Sequence, residues 1–311
     1  EKGNNLTINA SVLGATNVWV KIWQGAVGVS AIIWQGFLNL ISGNMWSVTV
    51  QTNYTWPIGL LNYTIYSNNS LGNEANFTGI LNITETGENV SDCRRLTLPN
   101  TNYYQIRDIV QNNNSDCIII AAQNITYNGN GYSITSENNI SGIYSIQLNT
   151  TIKNCTVDMS GNDGGVGIYL DNGAHNSYLE NNTLNNQFNG LKIQSSDNVT
   201  AVDTTASGNV KVQSYASGVW ISNSNNLNFT RLTANGNTWA GILATGPYGS
   251  GTTSNSIFSG VSSNNDIYLD GSNNIFRDSS INTINMYTSG SINNIYLNAT
   301  YSSESVSAGS Q

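Results

Sequence analysis

Short apolar pairs alternate with runs of amides and hydroxyls along the whole chain, and the period of that alternation changes once. In NLTINASV, at 5–12, Leu6, Ile8, Ala10 and Val12 share one face of an extended strand, while Asn5, Thr7, Asn9 and Ser11 share the other. VWVKIW, WSVTVQ, LNYTIYS and FTGILNIT keep the same two-residue period and are separated by Gly, Asn and Ser turns. This pattern predicts a small antiparallel β-sandwich over residues 1–88.

Beyond it the repeat lengthens. NTTIKNCTV at 149, NSYLENNTL at 176, NVTAVDTTA at 198, NLNFTRLTA at 226, NSIFSGVSS at 255, NNIFRDSSI at 273 and NNIYLNATY at 293 align on their first Asn. Their mean spacing of about 24 residues is that of a solenoid. Each copy carries a residue for the interior three places on: Ile152, Leu179, Ala201, Phe229, Phe258, Phe276 and Tyr296. Between copies runs a second short element, usually opened by Gly: GIYSI at 142, GIYL at 167, GLKI at 190, GVWI at 218, GILA at 241 and DIYL at 266. Two or three short strands per coil, with Gly and Asn at the corners, describe a parallel β-helix over 89–302, followed by a polar tail at 303–311. Asn suits the corners because it tolerates left-handed backbone angles, and its amides can pair in ladders from coil to coil. Leucine-rich repeats need denser Leu, and propeller blades need about 40 residues. The varied gaps between copies suit coils with loops of different length, GPYGSG at 246–251 being the clearest.

Composition narrows the partners. Only 9% of the 311 residues are charged, and 10 Lys and Arg stand against 18 Asp and Glu, a net charge of −8 with no basic block. A protein that neutralises phosphates needs clustered cations, so nucleic acid is excluded as a partner. The most apolar window, 26–41, contains Gln35 and Asn39 and is too short and too polar for a membrane span. No basic n-region opens the chain, so any signal peptide is expected to have been removed or to precede residue 1.

The pattern Asn-x-Ser/Thr occurs about seventeen times, against about eleven expected from composition. The excess is concentrated before residue 92, at Asn5, Asn9, Asn53, Asn62, Asn68, Asn76, Asn82 and Asn89. Asn76 and Asn82 stand on the strand face opposite Phe77, Leu81 and Ile83. Glycosylation is expected at these positions and at Asn113, Asn124, Asn139 and Asn298, which places the protein outside the cell, at its surface. The cysteines, Cys93, Cys117 and Cys155, show no C-x-x-C and no neighbouring His, so zinc is unsupported. A disulfide between Cys93 and Cys117 would close a loop of roughly two dozen residues and contribute about 3 kcal/mol. Cys155 would then remain as a small buried apolar side chain.

Two stretches resemble known families. LNYTIYSNNSLGNEANFTGILNITE, at the end of the sandwich, resembles the last hairpin of immunoglobulin-like repeats in prokaryotic surface proteins. CRRLTLPNTNYYQIRDIVQNNNSDCIIIAAQNITYNGNGYSI, from Cys93, resembles the first coil of archaeal surface proteins with pectate-lyase-like β-helices. IKNCTV and the Gly-Ile-Tyr-Leu units are similar to the same family, often labelled by kinship to a periplasmic copper-related protein, and the likeness spans about two-thirds of the chain. It implies an all-β protein in which an immunoglobulin-like β-sandwich precedes a right-handed parallel β-helix. It also implies an entrance cap near 93–117 that holds Cys93 and Cys117, with Tyr104, Ile106 and either Ile109 or Val110 of YYQIRDIV turned to the core.

β-helices often act on polysaccharides, by calcium and a cationic base in lyases or by paired carboxylates in hydrolases. Asp203 and Asp278 align with Asn181 and Asn154, which makes them corner residues, and Glu180 aligns with Lys153, Thr230 and Arg277 at an exposed position. Asp158, Asp163 and Asp171 lack the dense alternation of a calcium loop. His175 is the only His and is expected in an exposed loop, and Met45, Met159 and Met286 are far apart, so copper is unsupported. The expectation is therefore no catalytic residue, no metal and no cofactor, with N-linked glycans as the modification. The function expected is that of a non-enzymatic structural subunit of an archaeal surface layer or filament, self-assembling with identical subunits. A carbohydrate-binding adhesin, with a surface polysaccharide as partner, is the alternative, and a polysaccharide lyase or hydrolase the third. The 7 Trp and 16 Tyr could stack on sugars or fill the interior, and an exposed aromatic row flanked by acids would favour the last two readings.

Overall fold

The computed structural model describes residues 5–24, 31–52, 56, 59–83, 87–160, 164–209, 216–244, 252–286 and 293–306. All regular structure among them is β-strand. The chain forms two compact units, Glu1–Thr86 and Gly87–Gln311.

The first unit contains β1 (Asn5–Ser11), β2 (Asn17–Gln24), β3 (Ala31–Phe37), β4 (Asn39–Ser42), β5 (Met45–Gln51), β6 (Gly59–Asn68) and β7 (Glu74–Ile83). They pair antiparallel in two small sheets, β1-β5-β4 and β3-β2-β6-β7. The two-residue period sets which side chains meet: Val18, Val20, Ile22 and Leu61 of one sheet join Trp46 and Val50 of the other in one buried cluster. Leu6, Ile8, Ala10 and Val12 pack against that cluster, while Asn5, Thr7, Asn9 and Ser11 are exposed.

The second unit is a right-handed parallel β-solenoid. Three sheets run its length. The first stacks ten strands from Gly87–Val90 to Ile295–Leu297. A short sheet stacks Ile109–Gln111, Ser133–Ser136, Thr156–Met159 and Thr183–Asn185, then continues as single bridges through Thr205, Thr233 and Ser262. The long sheet stacks Arg94–Leu96, Ile118–Ile120, Ser141–Ser145, Val166–Leu170, Asn189–Gln194, Ser217–Ser222, Ala240–Ala244, Asp266–Leu269 and Ser280–Met286 among its strands.

The strand Asp266–Leu269 pairs on both sides, with Ala240–Ala244 and with Ser280–Met286.

Asn builds the corners in the expected way. Asn100, Asn124, Asn149, Asn176, Asn198, Asn226, Asn255, Asn273 and Asn293 all have φ between 56° and 59°, in the left-handed region that Asn tolerates best among residues with a side chain. Each stands two residues before a strand of the first sheet. Their amides pair between coils: Asn124 donates to Asn100 at 2.7 Å, Asn149 to Asn124 at 2.7 Å and Asn198 to Asn176 at 3.0 Å. The corner after the strand uses Asn154, Asn181, Asp203, Arg231, Asp278 and Asn298, so Asp203 and Asp278 are corner residues. Arg231 forms an exposed ion pair with Asp203 across one coil. Glu180 lies in register with Lys153 below and Val202 above, in the same row as Thr230 and Arg277.

The interior row predicted from the repeats is continuous. Tyr103, Tyr127, Ile152, Leu179, Ala201, Phe229, Phe258 and Phe276 stack in register and are buried, and Tyr296 packs on the end. Phe258 lies face to face between Phe229 and Phe276, with ring centroids 5.2 and 4.5 Å apart.

Three local expectations are corrected. YYQIRDIV forms strands of a regular coil, Asn102–Gln105 and Ile109–Gln111, paired into the stack on either side. Tyr103, Gln105 and Ile109 are its buried side chains, whereas Ile106 is 45% and Val110 65% exposed, because a one-residue shift of phase turns a strand over. The glycines of the Gly-Ile-Tyr-Leu units lie inside strands rather than at corners. A Cβ on Gly167 would sit 2.5 Å from the Gly190 carbonyl oxygen, and one on Gly218 2.7 Å from that of Gly241, so close approach of successive coils excludes a side chain there. His175 is half-buried, and its Nδ1 accepts a 2.9 Å hydrogen bond from the Asp197 backbone N–H. At the far end, Thr300–Val306 is a strand paired with Ser280–Met286. The loop at 246–251 lies outside the described residues.

Candidate functional site

The most organised exposed chemistry lies on the solvent face of the long sheet. Each Gly-opened unit alternates in, out, in: Ile168 and Leu170 are buried and Tyr169 between them is half-exposed. Strand register therefore lines up one residue per coil on this face, in the order Ile119, Tyr144, Tyr169, Lys192, Trp220, Leu243, Tyr268, all of them half-buried except Leu243, which is buried. At an inter-strand spacing of about 4.8 Å, the five steps from Tyr144 to Tyr268 span about 24 Å.

Specific contacts hold the row. Tyr144 and Tyr169 meet edge to face with centroids 5.3 Å apart. The Lys192 ammonium lies 4.2 Å from the Tyr169 ring centroid and 4.7 Å from that of Trp220, a cation held between two aromatic faces. Trp239, 37% exposed, stacks on Tyr268 at 5.7 Å. Tyr144 Oη donates to Asp171 Oδ2 at 3.2 Å, and Tyr169 Oη donates to Gln194 Oε1 at 2.9 Å. Asp171 follows directly on the strand Val166–Leu170, and its Oδ1 is buried without a hydrogen-bond partner. Asp116 accepts from the Ser141 backbone N–H at 2.7 Å, and Asp266 opens the strand that carries Tyr268.

The electrostatics follow from burial. Desolvation pushes the Tyr169 phenol above its ordinary range, and the carboxylate of Asp171 adds to the rise. Tyr144 shifts the same way for the same reasons. Both phenols stay protonated through neutral pH, with their protons donated to Asp171 and Gln194 and their oxygens left as acceptors. Burial among the rings lowers the pKa of Lys192, and Asp171 opposes that shift. The face offers flat apolar ring surface, phenol and amide groups, one cation and flanking carboxylates.

Of the residues singled out from the sequence, Cys93 and Cys117 form a disulfide in the first coils, and Cys155 is free and buried. Burial pushes the Cys155 thiol up to about 12. Asn5, Asn9, Asn76, Asn82, Asn89, Asn113, Asn139 and Asn298 are exposed, Asn62, Asn68 and Asn124 are half-buried, and Asn53 lies outside the described residues. Asn124 both donates and accepts in the corner ladder, and Asn298 donates to Asp278. Many solenoid sequons have an architectural origin, since a corner Asn is followed two places on by the Thr that opens a strand, as in Asn149 and Thr151 or Asn181 and Thr183. Asp158 accepts from Asn186, and Asp163 lies outside the described residues. Among the described residues, no three of His, Cys, Asp and Glu come together as a metal site. None of the outward row was named from the sequence. Its signal was the third residue of each Gly-opened unit, which alternation sends outward. Two open polar concavities, one over Asp92, Arg107 and Asp108 and one over Asn112, Glu137 and Asn138, belong to the short-sheet side instead.

No family model and no curated protein sequence matches the chain. Among solved structures, the family 28 exopolygalacturonase of Yersinia enterocolitica matches at 9% identity with a TM-score of 0.24, covering 98% of this chain and 84% of that one. The matched protein is an enzyme, so the expectation that this chain is not one is withdrawn. At that score the likeness transfers no residue role and no substrate. Among the described residues no helix is long and apolar enough to cross a membrane.

Proposed function

We propose that the solenoid binds a neutral polysaccharide along the solvent face of its long sheet, in a glycosylated protein at the cell surface whose first unit is an immunoglobulin-like sandwich. The observation that carries this reading is the in-register row of Tyr144, Tyr169, Lys192, Trp220 and Tyr268. A polysaccharide is a linear array of rings with apolar faces and hydroxyl edges. Aromatic faces suit the former, and carboxylates, amides and phenols suit the latter. The row is flanked by Asp116, Asp171 and Asp266, and the chain carries a net charge of −8, so a polyanion would be repelled. A neutral chain meets no such cost. The sequons of the first unit and the disulfide support a location outside the cell. The topology β1-β5-β4 facing β3-β2-β6-β7 supports the immunoglobulin-like reading.

Affinity electrophoresis of the full chain through gels containing neutral glucans, mannans or galactans tests the proposal. Retardation by at least one of them, reduced about tenfold or more in Trp220→Ala for a loss near 1.4 kcal/mol, is expected. Equal mobility of wild type and variant in every neutral gel would contradict it.

Assembly with identical subunits into a surface layer or filament is the second reading. It is favoured by the exposed apolar side chains of the last coil, Ile295 at 46%, Leu297 at 53% and Tyr301 at 40%. Sedimentation velocity across a concentration series separates it from the first, since binding to a gel polysaccharide does not need a polymer.

A further inference from the structure

The solvent face of β3-β2-β6-β7 carries an apolar surface that the fold does not cover. Val18, Val20 and Ile22 point into the core, so Trp19, Lys21 and Trp23 point out. Register then extends this face across the sheet. Phe37, Trp19, Tyr66 and Asn76 form one row, and Ile32, Trp23, Asn62 and Ile80 another, on either side of a polar row of Gln35, Lys21, Thr64 and Thr78, with Leu60 beside Asn82 at the end. Trp19 and Tyr66 are stacked, with centroids 5.3 Å apart and planes 9° from parallel, and Phe37 leans on Trp19 at 6.3 Å. Phe37 is 68%, Ile32 56%, Leu60 69% and Ile80 64% exposed. Apolar side chains gathered on one face to this degree mark a surface that something covers.

The same register shows what is available to cover it. Three of the outward residues on β6 and β7 are sequon asparagines: Asn62 with Thr64, Asn76 with Thr78 and Asn82 with Thr84. Each is set directly beside an apolar neighbour, Asn76 beside Tyr66, Asn62 between Trp23 and Ile80, and Asn82 beside Leu60. Asn76 and Asn82 are exposed on the edge strand, where a sugar can extend back over the sheet. On the other sheet, Asn5 and Asn9 have only Thr7 and Ser11 as companions on the outward face of β1.

We propose that N-linked glycans on Asn62, Asn76 and Asn82 fold back over this sheet and are its cover, with the first sugars of the Asn76 glycan lying against Tyr66 and Trp19. A pyranose presents one apolar face, which fits a flat pair of stacked rings, and its outer hydroxyls keep the covered surface wet. The glycans act as part of the fold of this unit, in addition to marking its compartment. The inference concerns a different unit from the proposed polysaccharide face and does not depend on it.

The test uses the full glycosylated chain, treated while folded with an endoglycosidase that trims each glycan to its first sugar, and with an amidase that removes it entirely. Glycopeptide mapping should find Asn76 and Asn82 occupied. Complete removal should raise binding of an apolar dye severalfold, and trimming to one sugar should keep most of the protection at Trp19, read by its fluorescence quenching. Asn5→Gln with Asn9→Gln should leave dye binding unchanged, whereas Asn76→Gln with Asn82→Gln should reproduce the effect of the amidase. Three results would overturn the proposal: unoccupied Asn76 and Asn82, dye binding unchanged by complete removal, or a bare chain that dimerises through this face, which would make a second copy the cover.

Discussion

Asparagine does opposite work in the two units, and the contrast shows what a residue pattern means once its backbone is known. In the first unit, Asn5 and Asn9 project from an extended strand into water. In the solenoid, Asn124 and Asn149 sit at φ of 58° and 56°, and their amides are spent on one another. The aromatics divide in the same way. Phe258 is fully buried between two rings, whereas Phe37 stands 68% exposed on a sheet face. Antiparallel strands leave one face free in each small sheet of the first unit, while a closed coil has an inside and an outside on every strand. A sequon in the first unit is therefore a surface feature. In the second it is often the by-product of a corner followed by a strand-opening Thr.

The largest effect that would sharpen this contrast comes from the interior stack. Phe258→Ala should destabilise the solenoid by about 3–5 kcal/mol, by loss of transfer energy and creation of a cavity. Phe37→Ala should change the stability of the first unit by less than about 0.5 kcal/mol, as substitutions on exposed surface do. Urea unfolding of the full chain, followed by circular dichroism, measures both. Similar losses at the two sites would break the comparison.

Next in size is the disulfide. Replacing Cys93 and Cys117 together by Ser should cost the solenoid about 3 kcal/mol for a loop of 24 residues and leave the transition of the first unit where it was. Asn149→Ala comes third, at about 1–2 kcal/mol, because it loses a ladder bond and puts Ala in the left-handed region. Asn149→Gly should recover part of that loss, while Asn9→Ala should fall within about 0.5 kcal/mol of wild type.

The smallest effect is a pH dependence. The pKa of Lys192 is lowered in the fold, so between that value and 10.5 the unfolded chain holds more protons than the folded one. Stability of the solenoid should therefore rise with pH through this window, and Lys192→Met should flatten the rise. A rise of equal size in the variant would show that Lys192 is not its source.

Much of the architecture was legible because two periods dominate it. Alternation fixed the inward set of β1 and β2, and the spacing of corner Asn residues fixed the coils and the interior row from Ile152 to Tyr296. What escaped was phase and side. Tyr103 and Tyr104 are adjacent, and nothing local says which one faces in until the strand is paired. Phe229 and Trp220 are both aromatics in a repeat, yet one lies in the interior stack and the other outside. Only the register of successive coils separates them. The outward row was missed because its members vary among Tyr, Lys, Trp and Leu, so it is a constancy of position without a constancy of residue.

The central claim is that this row is a binding face, and side-chain footprinting tests it most directly. The full chain would be exposed to hydroxyl radicals with and without a neutral polysaccharide that retards it in gels, and oxidation read residue by residue. The account predicts protection of Tyr144, Tyr169, Trp220, Trp239 and Tyr268 together, with Tyr132 and Tyr301 unchanged. Protection confined to the ends of the solenoid, with the long-sheet row oxidised as fast as in the free protein, would contradict it.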